Sequence, residues 1–138
     1  MIALIRISGL VEMPEKARIT LDRIRLRRKY SLVLMEPTKE NMSLIQKVRN
    51  FIAYGAIDNN TLKELLEKRG QSLSGKKIDA EKIISQIGKK SLTELGLKPF
   101  FRLHPPRGGI DSKVHFPIRK GVLGDNKEKI NDLIRRML

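Results

Sequence analysis

Residues 97–109 read L-K-P-F-F-R-L-H-P-P-R-G-G, and no other stretch restricts the fold as much. Pro105 and Pro106 fix their φ angles and withdraw two backbone donors. Gly108 and Gly109 do the reverse, admitting positive φ and a close approach of the backbone to another group. Neither a helix interior nor a central strand tolerates this composition, so the segment has to be a corner. Arg107 stands between its rigid half and its permissive half. Such a corner can present one guanidinium to an anionic surface; the plainer alternative is an ordinary turn with a surface arginine.

The charge of the whole chain bears on that choice. Its 138 residues hold 29 Lys plus Arg against 15 Asp plus Glu, a net +14. A surplus of that size points to a polyanionic partner, either nucleic acid or an anionic membrane surface. The length suits one domain, and a hydrophobic fraction of 40% supplies a core for it. With no cysteine, disulfides, thiolate chemistry and Cys-ligated zinc are excluded. No apolar run approaches the roughly 18 residues of a membrane span. The opening M-I-A-L-I-R-I-S lacks a leading basic region and a small-residue cleavage site, so a cytosolic protein is expected. Aromatic residues amount to 4%, with no Trp. If the partner is nucleic acid, phosphate and shape should carry the affinity more than base stacking.

Hydrophobic patterning orders the chain. Residues 2–8 read as a buried strand ended by Gly9. Pro14 and Glu15 suit a first helical turn, and Ala17, Leu21 and Ile24 follow at helical spacing. The expected end of that helix is basic, with Arg23, Arg25, Arg27, Arg28 and Lys29 filling five of seven positions. That exceeds what a helix dipole needs and suggests an anion-binding face. Residues 31–35 form a second strand. Pro37 and Thr38 start a helix with Leu44, Ile45 and Val48 buried; residues 51–57 could extend it, but Ala53-Tyr-Gly-Ala56 and Asp58 argue for a short third strand. The order β-α-β-α-β predicts a small α/β sandwich with helices on one face.

From Asp58 the pattern becomes helical. Asp58 or Thr61 caps a helix carrying Leu62, Leu65 and Leu66, closed by Gly70. Asp79 opens another, with Ile83, Ile84 and Ile87, stopped by Gly88. Ser91-Leu-Thr-Glu94 reads as a capping box for one short turn ended by Gly96. Residues 114–118 could pair with 100–103 as a second small sheet, Pro117 confining it to an edge. A final helix, capped by Asp125 or Asn126, docks through Ile130, Leu133, Ile134 and Met137, and leaves Arg135 and Arg136 free to face a partner. Three segments of one compact unit result: a core over 1–57, a helical insert over 58–96, and a basic extended loop with a C-terminal helix over 97–138.

Catalytic chemistry finds no residues. Gly70-Gln-Ser-Leu-Ser-Gly75-Lys76-Lys77 approaches a phosphate-binding P-loop, but Lys77 stands where a hydroxyl must hold magnesium, and a helix rather than a strand precedes it. His104 and His115 are the only histidines, with no carboxylate cluster beside them, so no metal site can be assembled. No serine nucleophile has a base. Neither a catalytic residue nor a cofactor is therefore expected. Residues 98–120 do form a constellation: Lys98, Arg102, Arg107, Lys113, Arg119 and Lys120, both histidines, and Asp111 as the one acid. Extended basic loops of this kind follow a groove or pack into folded RNA, neutralising phosphates. A solvated charged loop is the alternative.

These residues carry a resemblance. The strand I-A-L-I-R-I-S-G, Arg25-Leu-Arg-Arg28, Gln46-Lys-Val-Arg49, Gly55-Ala-Ile-Asp58, Leu65-Leu-Glu-Lys-Arg-Gly70, the Leu97–Arg107 run and Lys129-Ile-Asn-Asp-Leu-Ile-Arg-Arg-Met137 are similar, nearly end to end, to the large-subunit ribosomal protein family called L-thirty in bacteria and archaea and L-seven in eukaryotes. The Arg-Leu-His-Pro-Pro-Arg segment and the last helix are its specific marks. The form is archaeal-like: a bacterial one would stop near the third strand, and a eukaryotic one would carry a long basic N-terminal arm. Residues 89–95 look shorter than in many archaeal relatives, and 116–121 lack the expected glutamate-glycine pair.

The resemblance implies an α+β fold with a β-α-β-α-β ferredoxin-like core. It also implies a structural role in the large ribosomal subunit without catalysis. The implied partners are large-subunit ribosomal RNA and neighbouring ribosomal proteins, with five-S ribosomal RNA a further candidate, and neither a membrane nor a homo-oligomer. The expected RNA-binding residues are Arg25, Arg27, Arg28, Lys98, Arg102, His104, Arg107, Gly108, Gly109, Lys113, His115, Arg119, Lys120, Arg135 and Arg136. A free RNA-binding module acting on other RNA is the alternative. An RNA-recognition motif would need aromatics on its strands that neither apolar strand supplies. A membrane-surface binder fits the charge but would need a helix combining a large apolar face with a lysine-rich one.

Overall fold

The structure, a computed structural model, describes residues 1–9, 13–73, 75, 79–87, 89, 92–116, 118 and 121–138, with only the backbone of Asp111 and Ser112. At its centre is β1 (Ile2–Arg6), antiparallel to β2 (Ser31–Met35) on one side and to β3 (Ile52–Ala56) on the other. Successive side chains of a strand face opposite ways. In β1 both sets are apolar but for Arg6: Ala3 and Ile5 enter one core, Leu4 the other. A strand of that kind has to be covered on both faces.

The first cover is α1 (Glu15–Arg23) with α2 (Lys39–Val48), which bury Leu21, Ile24, Ile45 and Val48 against Leu4, Val33 and Tyr54. Thr38 caps α2 through its hydroxyl, which accepts a hydrogen bond from the Asn41 amide at 3.2 Å. Because β2 and β3 both run antiparallel to β1, they are parallel to each other with β1 between them. This is the split β-α-β unit of a ferredoxin-like α+β fold.

The second cover is α3 (Asn59–Arg69), α4 (Ala80–Gln86) and α5 (Ile130–Met137). Leu62, Leu65, Leu66, Ile83, Ile130, Leu133, Ile134 and Met137 meet Ala3, Ile5, Leu32 and Ala53. Helices on one face, the expectation from sequence, therefore hold only for α1 and α2. The four apolar residues of α5 recur at i, i+3, i+4 and i+7 and are all buried. Their burial contributes at most about 6–12 kcal/mol, at ~1.5–3 kcal/mol per side chain. The close seating of α5 explains Gly55 in β3, where an added Cβ would lie 2.3 Å from the Lys127 carbonyl oxygen and 2.9 Å from Ile130.

Asp58 begins α3, accepting from the Thr61 amide at 2.7 Å. Thr61, through its hydroxyl side and its backbone amide, holds the Asp58 carboxyl below the usual carboxylate range; slight burial opposes this and Arg135 assists it.

The C-terminal third departs from expectation. Besides the expected loop and helix it contributes three strands, β4 (Phe101–Arg102), β5 (Asp111–His115) and β6 (Gly121–Asp125), the last of them unforeseen. The two segments expected to pair with each other lie on opposite edges of one mixed sheet, ordered β4-β2-β1-β3-β6-β5. β4 joins β2 antiparallel, with Ser31 opposite Arg102, which buries Phe101 in the core beside Leu32. β6 joins β3 in parallel and carries β5, also parallel, on its outer side. Only positions 116–120 separate β5 from β6, far fewer than a regular parallel crossover uses, and the pairing is bulged accordingly. β6 is hidden in the sequence because Val122 and Leu123 are its only apolar pair between two glycines. The last helix is preceded by a 3-10 turn at Lys127–Lys129, where the Asp125 carboxylate accepts from the Lys127 amide.

Pro117, the Gly88 stop, the Ser91 cap and most of the P-loop-like Gly-Lys-Lys lie outside the described residues. No described helix is long and apolar enough to cross a membrane.

Candidate nucleic-acid interface

The first basic cluster is built by a turn rather than a helix end. α1 stops at Arg23, and the chain then takes left-handed backbone at Arg25 (φ 68°) and Tyr30 (φ 64°). What fastens this turn is Arg6, a residue the sequence reading passes over. Its side chain is fully buried, and its guanidinium donates to the Leu26 carbonyl at 2.8 Å and the Ser8 carbonyl at 2.9 Å. Its own carbonyl accepts from the Tyr30 amide at 2.7 Å. Burial pushes the Arg6 guanidinium down from its ordinary value, and the charge of Asp22 pulls it back up. The available signal was one arginine inside an otherwise apolar strand.

Thus anchored, residues 24–30 bury Ile24 and Leu26 and expose Arg25, Arg27, Arg28 and Lys29. The Ser31–Arg102 pairing then brings a fourth arginine beside them. Arg25, Arg27, Arg28 and Arg102 wall a cavity of about 340 Å³, whose lining Ser31, Pro99 and Phe100 complete. No acid stands among the described residues lining it, and none of the three turn arginines is in a described ion pair. The Arg102 guanidinium sits 5.6 Å from the centre of the Phe100 ring, a cation–π arrangement. Phe100 and Arg102 are two apart, so strand geometry puts them on one side, while Phe101 between them enters the opposite core. Converging like charges repel one another, and an anion between them relieves that repulsion; Arg25 also borders a neighbouring cavity that holds Glu36 and Glu94.

A second basic region occupies the opposite edge. The Pro-Pro-Arg-Gly-Gly corner is docked on the end of α5. The His104 amide donates to the Met137 carbonyl at 2.9 Å and the Arg107 amide to the Arg136 carbonyl at 3.0 Å. In return the Arg136 guanidinium donates to the Arg107 carbonyl at 2.8 Å and to the Gly109 carbonyl. Both glycines use the positive φ that the sequence allows them, 79° and 74°. The Arg107 and His104 side chains are exposed, as are those of Lys113 and His115 on β5. Arg107, Lys129 and Arg136 line a more open cavity of about 670 Å³ that also holds Asp132.

The basic run from 98 to 120 is therefore not one patch. Arg102 belongs with Arg25, Arg27 and Arg28; Arg107, Lys113 and His115 belong to the far edge. Five strand intervals separate β4 from β5, about 24 Å at ~4.8 Å each. Lys98 is half-buried, its amide bonded to the Gln71 carbonyl at 2.8 Å. Arg135 lies 3.8 Å from Glu64, and Arg136 holds the corner, so neither is free as expected. Arg119 and Lys120 lie outside the described residues. Among the described residues no group of three or more His, Asp or Glu is placed to hold a metal.

No family model matches the chain. Whole-chain relatives do. The large ribosomal subunit protein uL30 of Pyrobaculum aerophilum is 39% identical, covering 99% of this chain and 93% of its own length. That of Nanoarchaeum equitans is 40% identical over 99% and 97%. That of Archaeoglobus fulgidus is 34% identical over 99% of each. At such identity along the full length, with the basic turn and the docked corner on a ferredoxin-like core, the chain belongs to the archaeal uL30 family of large ribosomal subunit proteins.

Proposed function

We propose that the protein is a non-enzymatic, structural constituent of the large ribosomal subunit in the cytoplasm, held on ribosomal RNA by phosphate and shape contacts. The observation that carries this reading is the convergence of Arg25, Arg27, Arg28 and Arg102 on one cavity without an acid. Family membership supplies the ribosomal setting. The sheet acts as a rigid spacer, with one basic edge at the α1–β2 turn and β4, and the other at the corner and β5. RNA and neighbouring ribosomal proteins would meet these two edges, and five-S ribosomal RNA is a candidate for one of them.

The test is sedimentation. The tagged protein in archaeal cells should travel with large subunits in a sucrose gradient and stay there through a high-salt wash. Recovery only in the free fraction would refute the reading.

A further inference from the structure

We propose that the arginine-walled cavity at the β4 edge takes one unstacked ribonucleotide, an inference that rests on the RNA-binding reading above. In it the base lies on the Arg102 guanidinium, and the adjoining phosphates meet the arginines of the α1–β2 turn.

Three features select this occupant. The first is shape. The site is concave and about 340 Å³, near the lower end of small-ligand pockets, which span roughly 300–1,000 Å³. A duplex presents its phosphates on a convex surface and would ride on the rim; a nucleotide turned out of its stack can enter. The second is the plane. RNA-binding proteins stack unpaired bases on aromatic rings or on guanidinium planes. Here the Arg102 guanidinium lies 5.6 Å from the centre of the Phe100 ring, held near it by a cation–π contact, and Arg102 is exposed, so its plane is accessible to a base. Phe100 is itself seated against the α1–α2 core. The chain can thus stack a base despite its 4% aromatic content, because arginine supplies the platform and a half-buried ring stiffens it. The third is charge. Three exposed arginines on a turn fastened by Arg6 stand beside that plane, and no acid among the described lining residues competes for them.

A free inorganic anion would satisfy the charge but not the plane, and the test separates the two. Two hairpin RNAs are prepared with equal phosphate number. One carries a single extrahelical adenosine; in the other that nucleotide is abasic. Titrated at physiological salt, the wild-type protein should bind the adenosine hairpin about tenfold more tightly, within the range measured for one stacked base. Arg102→Lys keeps the charge and removes the plane. It should reduce that ratio to near one, with affinity for the abasic hairpin within about twofold of wild type. Phe100→Leu, which removes the neighbouring ring, should lower the ratio in the same direction.

Equal wild-type affinities for the two hairpins, or a ratio unchanged in Arg102→Lys, would overturn the nucleotide pocket and leave RNA binding standing. Failure of the wild type to bind either hairpin would overturn both.

Discussion

Arg25 holds left-handed backbone that its Cβ disfavours, at φ 68°, in the turn whose neighbours wall the arginine cavity. Non-glycine residues there cost roughly 1–2 kcal/mol. Arg25→Gly should therefore stabilise the fold by about 0.5–1 kcal/mol once the greater freedom of glycine in the unfolded chain is subtracted, seen as a higher urea midpoint. RNA affinity should fall at the same time. Equilibrium unfolding and filter binding on the one variant would check the pair of effects; a variant both less stable and equally affine would contradict it. The cluster of arginines here was legible from composition, but not the strain, because position 25 reads in sequence as a late helical residue. Arg6 was illegible for a related reason. A charged residue in an apolar strand gives no sign of which carbonyls it will reach, and Leu26 is a distant one.

Helices and strands were legible where their periodicity was long and their caps were local. Thr38 and Asp58 announce α2 and α3, and the stripe on α5 is plain in its spacing. The Asp58 cap has a pH signature. Its folded-state carboxyl lies below its unfolded value, so its contribution is complete above the unfolded value and is lost as pH falls through the folded one. Asp58→Ala should cost about 1 kcal/mol at neutral pH. The gap between variant and wild-type urea midpoints should narrow in acid, below about pH 4. Parallel pH profiles would show that the carboxylate is not the cap.

At the corner, Arg136 turned out to brace rather than face outward. Arg136→Met keeps the apolar stem and removes the donors. Amide exchange at Gly108 and Gly109 should accelerate at least several-fold while the amides of α5 stay protected. Unchanged exchange would mean the prolines and glycines hold the corner unaided. β6 could not be seen beforehand because its identity as a strand comes from β3, far away in sequence, rather than from its own five residues.

At the scale of the whole molecule, the candidate RNA-binding residues fall into two groups on opposite sheet edges, a division that only topology reveals. The run from 98 to 120 looks continuous in sequence, yet its β4 part lies at one edge and its β5 part at the other. Arg28→Glu and Arg107→Glu sit in different groups and share no described partner, so their effects on RNA binding should add within about 0.5 kcal/mol. Measured by titration across a salt series, each single variant should bind more weakly with the fold intact by circular dichroism. Strong non-additivity would place both residues on a single RNA feature.

The same topology governs how the chain comes together during synthesis. β1, β2 and β3 can pair as soon as residues 2–56 exist, but the open side of β3 waits for Gly121–Asp125, and the second apolar face waits for α5. In that interval the nascent protein carries an unpaired strand margin beside a hydrophobic surface that α3 and α4 cover only in part, the pairing that invites wrong partners. Translation of residues 121–138 thus supplies both the strand that covers the margin of β3 and the helix that completes the second core.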